Sequence, residues 1–224
     1  MKNIFLFSVM FLFLLVFGTL AFLTGTNGFP YDETIIAWID KVSSSSLLGM
    51  MEIMSMIGSS EAVLLLTFLI TLIFLLKKDW FHTIFFLTVS VGGAVLNFVL
   101  KFLFQRERPG EMSHIEVFNF SIDIPSYSFP SGHMMRVTIL VLFLIYVSYR
   151  FIKHIAFRLL ASIILIVTLV GVALSRLFLD AHFLSDVLAA GSISVVWFCL
   201  CYFFFKRYED KQKNNLFSRY RQWS

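Results

Sequence analysis

Long apolar runs dominate this chain and leave it few folds to choose from. They fall at about 4–23, 61–76, 80–104, 134–149, 156–174 and 183–205. Roughly 20 predominantly apolar residues make an α-helix long enough to cross a bilayer. The runs at 61–76 and 134–149 are short for crossing, so their helices are expected to extend beyond the apolar core. Composition agrees, with 58% hydrophobic and 14% charged residues, against about 25% charged in soluble domains. Phe alone accounts for 28 residues, which suits a lipid-facing surface. The expected fold is all-α: a polytopic membrane protein with six transmembrane helices, forming a single membrane-embedded domain over 1–224. Its polar tail, from about 206 to 224, reads as frayed helix.

The first run follows Met-Lys-Asn and resembles a secretory signal. The apolar region of a signal is usually about 7–15 residues long, so this run reads as a retained first helix. Cys199 and Cys201 lie inside the last run, two residues apart. On a helix they point in different directions, so a disulfide, a zinc site and a redox pair are poor readings, and apolar filling is the expected role.

Orientation follows from the basic residues. Lys2, Lys77, Lys78, Arg150, Lys153, Arg158, Lys206 and Arg207 mark alternate ends of the runs. The positive-inside rule places these ends in the cytoplasm. The connections at about 24–60, 105–133 and 175–182 then face outward, on the extracytoplasmic side of the cell membrane. Arg106, Arg108 and Arg176 break the charge bias there, and binding an anion is the expected reason. The net charge is +4, but its placement in short apolar-flanked loops excludes nucleic acid as a partner, and no obligate protein partner is evident. The connection at 24–60 carries Ile35, Ile36, Trp38 and Ile39, then a Leu- and Met-rich piece at 47–57. Neither piece spans alone, and an outer interfacial or re-entrant helix pair is expected. His114, Glu111 and Glu116 read as solvated surface.

Three polar clusters interrupt the apolar sequence, all on the expected outer side. Ionisable residues at membrane depth are costly and are functional candidates by default. In the first cluster, Lys101 and Arg108 are seven residues apart, so a helix continuing that far would bring both cations to one face before Pro109 ends it. In the second, Pro130-Ser131-Gly132-His133 opens an apolar run. A Ser–Gly turn at a helix start offers backbone N–H groups, a hydroxyl and the positive end of the dipole to an anion, or simply an N-cap. In the third, Ser175 and Arg176 are followed by His182 and Asp186. Four residues apart on a helix, an imidazole and a carboxylate are neighbours, and the carboxylate can fix the tautomer that leaves Nε2 free to attack.

Taken together, KFLFQRERP at 101–109, PSGH at 130–133 and SRLFLDAHFLSD at 175–186 resemble the three-part signature of the type 2 phosphatidic acid phosphatase superfamily, with no substitution at a signature position. The resemblance covers about 61–205. It implies a membrane lipid phosphatase hydrolysing a phosphomonoester through a phosphohistidine. By that resemblance His182 is the nucleophile, Asp186 orients it, and His133 protonates the leaving alkoxide and then activates water. Lys101, Arg108, Ser131, Gly132 and Arg176 would hold the phosphoryl oxygens. No metal or other cofactor is implied, and no carboxylate cluster suited to Mg²⁺ is found. Gly132, where undecaprenyl pyrophosphate phosphatases of the superfamily often carry Asp, leans the expected substrate toward phosphatidylglycerophosphate or phosphatidic acid. Undecaprenyl pyrophosphate is the first alternative, and a non-catalytic lipid transporter or binding protein the second. Arg136 lies outside the signature, three residues after His133. It could face the same pocket and favour a second phosphate, or form a structural salt bridge.

Overall fold

The computed structural model describes residues 2–26, 28–109, 115–117, 120–122 and 127–222, with backbone alone at 2, 115–117, 120–122 and 213–222. Among these residues eight helices follow one another: α1 Lys2–Gly25, α2 Asp32–Val42, α3 Ser45–Ile57, α4 Ser60–Leu76, α5 Trp80–Phe104, α6 Gly132–Phe151, α7 Ile155–Phe178 and α8 Leu184–Gln222. Between α5 and α6 lies a small antiparallel hairpin, β1 Ile115–Val117 with β2 Phe120–Ile122, in which Glu116 pairs with Ser121. Glu111 and His114 lie outside the described residues, as does the side chain of Glu116.

Among the described residues, six helical segments are long and apolar enough to cross a membrane, as the sequence led us to expect. One of them, Ser45–Leu76, joins α3 and α4. The Leu- and Met-rich piece thus continues, past a break at Gly58 and Ser59, the run that seemed too short to span. The Ser59 hydroxyl restarts the helix by accepting the Ala62 N–H at 3.1 Å, the usual function of a Ser N-cap. α3 packs along α7, whereas the amphipathic α2 touches both α7 and α8. α8 remains helical through Gln222, beyond its apolar part. Its polar end is tied down by Lys206 to Glu209 and Arg150 to Glu209, each at 3.1 Å.

α6 is the central helix, packed by α4, α5, α7 and α8. Half of its span is buried, against 6% for α1 and α7. The Phe residues are divided between two tasks. Phe5, Phe11 and Phe22 face outward, on the surface a bilayer would cover. Phe85, Phe86 and Phe143 are buried, the last two stacked with centroids 4.2 Å apart. Offset aromatic contacts of this kind add about 0.5–1.5 kcal/mol beyond area burial. Small residues set the spacing of α5. A Cβ on Gly92 would fall 2.4 Å from Trp197 of α8, and one on Gly93 would fall 2.2 Å from Ile139 of α6. Close approach through small residues is how helices pack where lipid removes the hydrophobic drive. It brings the polar ends of α5, α6 and α8 to one place.

Candidate active site

The first motif straddles the end of α5. Lys101 sits in its last turn and donates from Nζ to the carbonyl of Tyr127 in the returning chain. The expectation that Arg108 continues the same helical face is corrected here. The helix stops at Phe104, Gln105 turns to left-handed backbone with φ 44°, and 105–108 is irregular. Two causes act. Arg108 precedes Pro109, whose ring disfavours helical backbone at that position. Arg106, in addition, is drawn to two buried carboxylates. Arg108 still reaches the site, where its charge acts on Lys101, His133, Arg176 and His182.

The second motif caps α6. The Ser131 hydroxyl accepts the Met134 N–H at 3.4 Å, and the Ser131 N–H donates to the carbonyl of Asp186 at 3.2 Å. Asn97 of α5 donates to the carbonyl of Pro130 at 3.1 Å. The capping turn is therefore bolted to α5 on one side and α8 on the other. Gly132 keeps the first turn bare. A Cβ there would stand 3.1 Å from Asn97 Oδ1 and 3.5 Å from a guanidinium nitrogen of Arg136. His133, half-buried, comes next in that turn.

The third motif spans the turn from α7 to α8. The N–H groups of Ala181 and His182 both donate to the carbonyl of Arg176, at 3.2 and 3.1 Å, folding the chain back over the end of α7. His182 therefore precedes α8 instead of lying on it, and only Asp186 is helical. The pair still meets. Asp186 Oδ2 accepts the Phe183 N–H at 2.9 Å and stands 3.6 Å from His182 Nδ1. That distance is too long for a direct hydrogen bond, and the carboxylate acts on the ring through its field. The hydroxyl of Ser128 completes it, bonding Asp186 Oδ2 and lying 3.2 Å from His182 Nδ1. With Nδ1 occupied in this way, Nε2 is turned to the opposite side of the ring.

The second oxygen of Asp186 is equally committed. Arg106 donates to Oδ1 at 2.6 Å, to the Ser185 hydroxyl at 2.7 Å, and through its other arm to Asp32 at 2.7 Å. Asp32, at the start of α2, also accepts the backbone N–H and hydroxyl of Ser185 at 2.9 and 2.6 Å. The guanidinium lies 4.1 Å over the ring of Phe183. Reading Arg106 as an anion binder is thus corrected: its charge is spent inside the protein. Arg176 is different. It donates to Ser55 of α3, and its Nε is buried without a hydrogen-bond partner.

Cations dominate the pocket's electrostatics. The charges of Lys101, Arg108, Arg136 and Arg176 lie within reach of one another, and His133 is within reach of His182. Burial pushes the His182 imidazole down to about 4, against the pull of Asp186, while Arg108 and Lys101 push in the same direction as burial. The ring is consequently neutral near pH 7, the state that carries a lone pair on each unprotonated nitrogen.

All of the residues singled out in the sequence thus converge: Lys101, Arg108, Ser131, Gly132, His133, Arg176, His182 and Asp186 meet where the ends of α5, α6 and α7 and the start of α8 come together. Ser128, Asn97 and Asp32 were not anticipated. Asp32 left only one trace, a carboxylate in an otherwise apolar-patterned outer segment, and Ser128 and Asn97 left none.

Residues 81–210 match the PAP2 superfamily. The chain is 31% identical over 144 residues to phosphatidylglycerophosphatase B of Bacillus subtilis, an alignment covering 62% of this chain and 64% of that one, just under two thirds of the relative's length. Among solved structures, it is similar to a transmembrane PAP2 type phosphatidylglycerolphosphate phosphatase from Bacillus subtilis, with TM-score 0.68 and 26% identity over 92% of this chain and 96% of the other. Aquifex aeolicus LpxE shares the fold, with TM-score 0.57 and 17% identity over 77% of this chain and 95% of that one. The matched region holds all three motifs and four of the six candidate spans, and the chain belongs to the PAP2 superfamily as a multi-pass membrane protein.

Proposed function

We propose that the protein is a lipid phosphatase that hydrolyses the terminal phosphomonoester of a membrane lipid, with phosphatidylglycerophosphate or phosphatidic acid as substrate. The observation that carries this reading is the backing of His182: a neutral imidazole whose Nδ1 side is held by Asp186 and Ser128, close enough to Arg108 and Lys101 for their charges to act on it. A phosphate monoester carries a charge near −2, and phosphoryl transfer is largely a matter of positioning and electrostatics. Lys101, Arg108 and Arg176, with the N-terminal turn of α6 at Ser131 and Gly132, supply both.

In the first step the Nε2 lone pair forms a bond to phosphorus while the bond from phosphorus to the lipid oxygen breaks. The Nδ1 proton faces Asp186, which stabilises the charge left on the ring. His133, beside the bound phosphate, passes a proton to the departing alkoxide. In the second step His133 takes a proton from water as that water attacks the phosphohistidine, releasing inorganic phosphate and restoring both rings. Splitting the reaction at a covalent intermediate replaces one difficult displacement with two easier ones.

The basic residues Lys77, Lys78, Arg150, Lys153, Arg158, Lys206 and Arg207 sit at the helix ends away from the motifs, which supports an extracytoplasmic pocket by the positive-inside rule. The test is phosphate release by the purified protein in one detergent from phosphatidylglycerophosphate, phosphatidic acid and undecaprenyl pyrophosphate, with alkaline quenching, under which the P–N bond survives, to trap phosphate on His182. Release from the two glycerophospholipids with labelled His182 is the expected result. Release from the pyrophosphate alone would overturn the substrate assignment, and no release from any of them would overturn the activity.

A further inference from the structure

Arg136 has no counterpart in the three motifs, yet it stands inside the pocket they form. It lies one turn beyond His133 on α6, and its Nη1 is 3.5 Å from where a Gly132 side chain would begin, in the same space as Lys101 Cε. Among the described residues it makes no hydrogen bond and no ion pair within 4 Å, and its Nε is buried without a partner. The charge of Glu61 acts on it only from a distance, so the structural salt bridge that the sequence allowed is absent among those residues. An arginine in that condition has open donor capacity in a fixed planar fork, the geometry that suits a phosphate.

Arg136 also heads a second space. A cavity of about 160 Å³ runs between α4, α5 and α6, lined by Val63, Thr67, Ala94 and Ile139, with Arg136 at one wall. Leu64 and Val91 also line it and are 67% and 58% exposed, so it opens sideways toward the surface that faces lipid. One guanidinium therefore joins the polar pocket to an apolar side opening. Lys101, Arg108 and Arg176 already outnumber the charges of a single phosphate dianion, and the fourth cation adds to that excess.

We propose that Arg136 forms a subsite for a second phosphate of the same lipid, beside the one that is hydrolysed, with the first methylenes of that lipid's hydrocarbon in the adjoining cavity. The inference rests on the phosphatase reading and deepens it: the favoured substrates are lipids with two phosphates, not one. The chemistry is shared by a phosphodiester across a glycerol and by a diphosphate, so both are assayed.

The experiment measures kcat/KM for the full chain in mixed micelles on phosphatidic acid, phosphatidylglycerophosphate and an isoprenyl diphosphate, for wild type, Arg136→Lys and Arg136→Gln. Loss of the charge in Arg136→Gln is expected to lower the preference for two phosphates over one by roughly tenfold or more, mainly through KM, with partial recovery in Arg136→Lys. A loss confined to phosphatidylglycerophosphate assigns the subsite to a diester; a loss shared by the diphosphate assigns it to any second phosphate. An unchanged preference ratio overturns the inference. Should Arg136→Gln not fold, inhibition of the wild type by phosphatidylglycerol and by diacylglycerol decides the matter: the diester lipid is expected to compete more strongly, and equal inhibition overturns the subsite. A wild type inactive on all three lipids overturns the phosphatase reading itself and the subsite with it.

Discussion

Arg106 and Asp186 form an ion pair at 2.6 Å in which the carboxylate is wholly buried, and the same guanidinium grips Asp32 at 2.7 Å. Asp186 thus faces His182 with one oxygen while Arg106 fixes the other. Removing one partner of a buried pair costs about 3–5 kcal/mol, because it leaves the other charge uncompensated. Arg106→Gln is therefore expected to lower the melting temperature and to cut turnover. Asp32→Asn, which touches neither substrate nor His182, is expected to reduce kcat while leaving KM nearly unchanged. In a double-mutant cycle the two substitutions should couple by about 0.5–3 kcal/mol; strict additivity would separate Asp32 from the Arg106–Asp186 pair.

His182→Ala is expected to abolish phosphate release, by roughly a thousandfold or more, while the protein still inserts and binds lipid. Activity near the wild-type level would remove His182 from the role of nucleophile. Alkali-quenched labelling of the protein checks the same point independently, since the label should survive alkali, be lost in acid, and vanish with the imidazole.

For His133→Ala the leaving group decides the outcome. General acid catalysis contributes typically 10²–10⁴-fold, so a loss of about that size is expected on an alkyl phosphate, with partial rescue on an aryl phosphate whose oxygen needs no proton. An equal loss on both would argue against proton donation.

The His182 ring also predicts a pH dependence of stability. Its pKa falls from the ordinary 6.5 to about 4 on folding, chiefly through burial. Between those values the unfolded chain binds more protons than the folded one, so stability climbs with pH across that window. The contribution is complete above 6.5 and is lost as pH falls toward 4. On moving from pH 7 to pH 5, wild type should lose more melting temperature than His182→Gln; parallel slopes would contradict the depressed value.

A phosphohistidine route needs no divalent cation. Prolonged dialysis against EDTA is expected to leave the rate of phosphate release unchanged. Full loss, reversed by added Mg²⁺, would replace the covalent mechanism with a metal-assisted one.

Much of this was legible in the residues, because bilayer and phosphate chemistry both impose coarse rules. Runs of about 20 apolar residues can hardly be anything but spans, and the Lys and Arg pattern ordered their ends. The pocket's members were legible as types: imidazoles, a carboxylate and cations at helix ends. What the spacing misjudged was the backbone that carries them. Lys101 with Arg108 and His182 with Asp186 both looked like helical neighbours, yet α5 ends before Arg108 and α8 begins after His182. The pairs meet through irregular chain held by Ser128 N–H to the Arg106 carbonyl at 2.7 Å and by the double bond onto the Arg176 carbonyl. Contacts of that kind depend on where distant segments dock. Asp32 lies 153 residues before its partner Ser185, and no periodicity could signal it.

That long reach has a bearing on biogenesis. α1 packs along α8, and Asp32, just after the first span, closes the ring of contacts around the last one. A chain still emerging from the ribosome holds Lys101 and both imidazoles only in sequence, with nothing to steady Asp186 until the two ends of the polypeptide find each other. On the proposed function, threading must finish before catalysis can start, and forms lacking either end of the polypeptide are expected to be chemically silent.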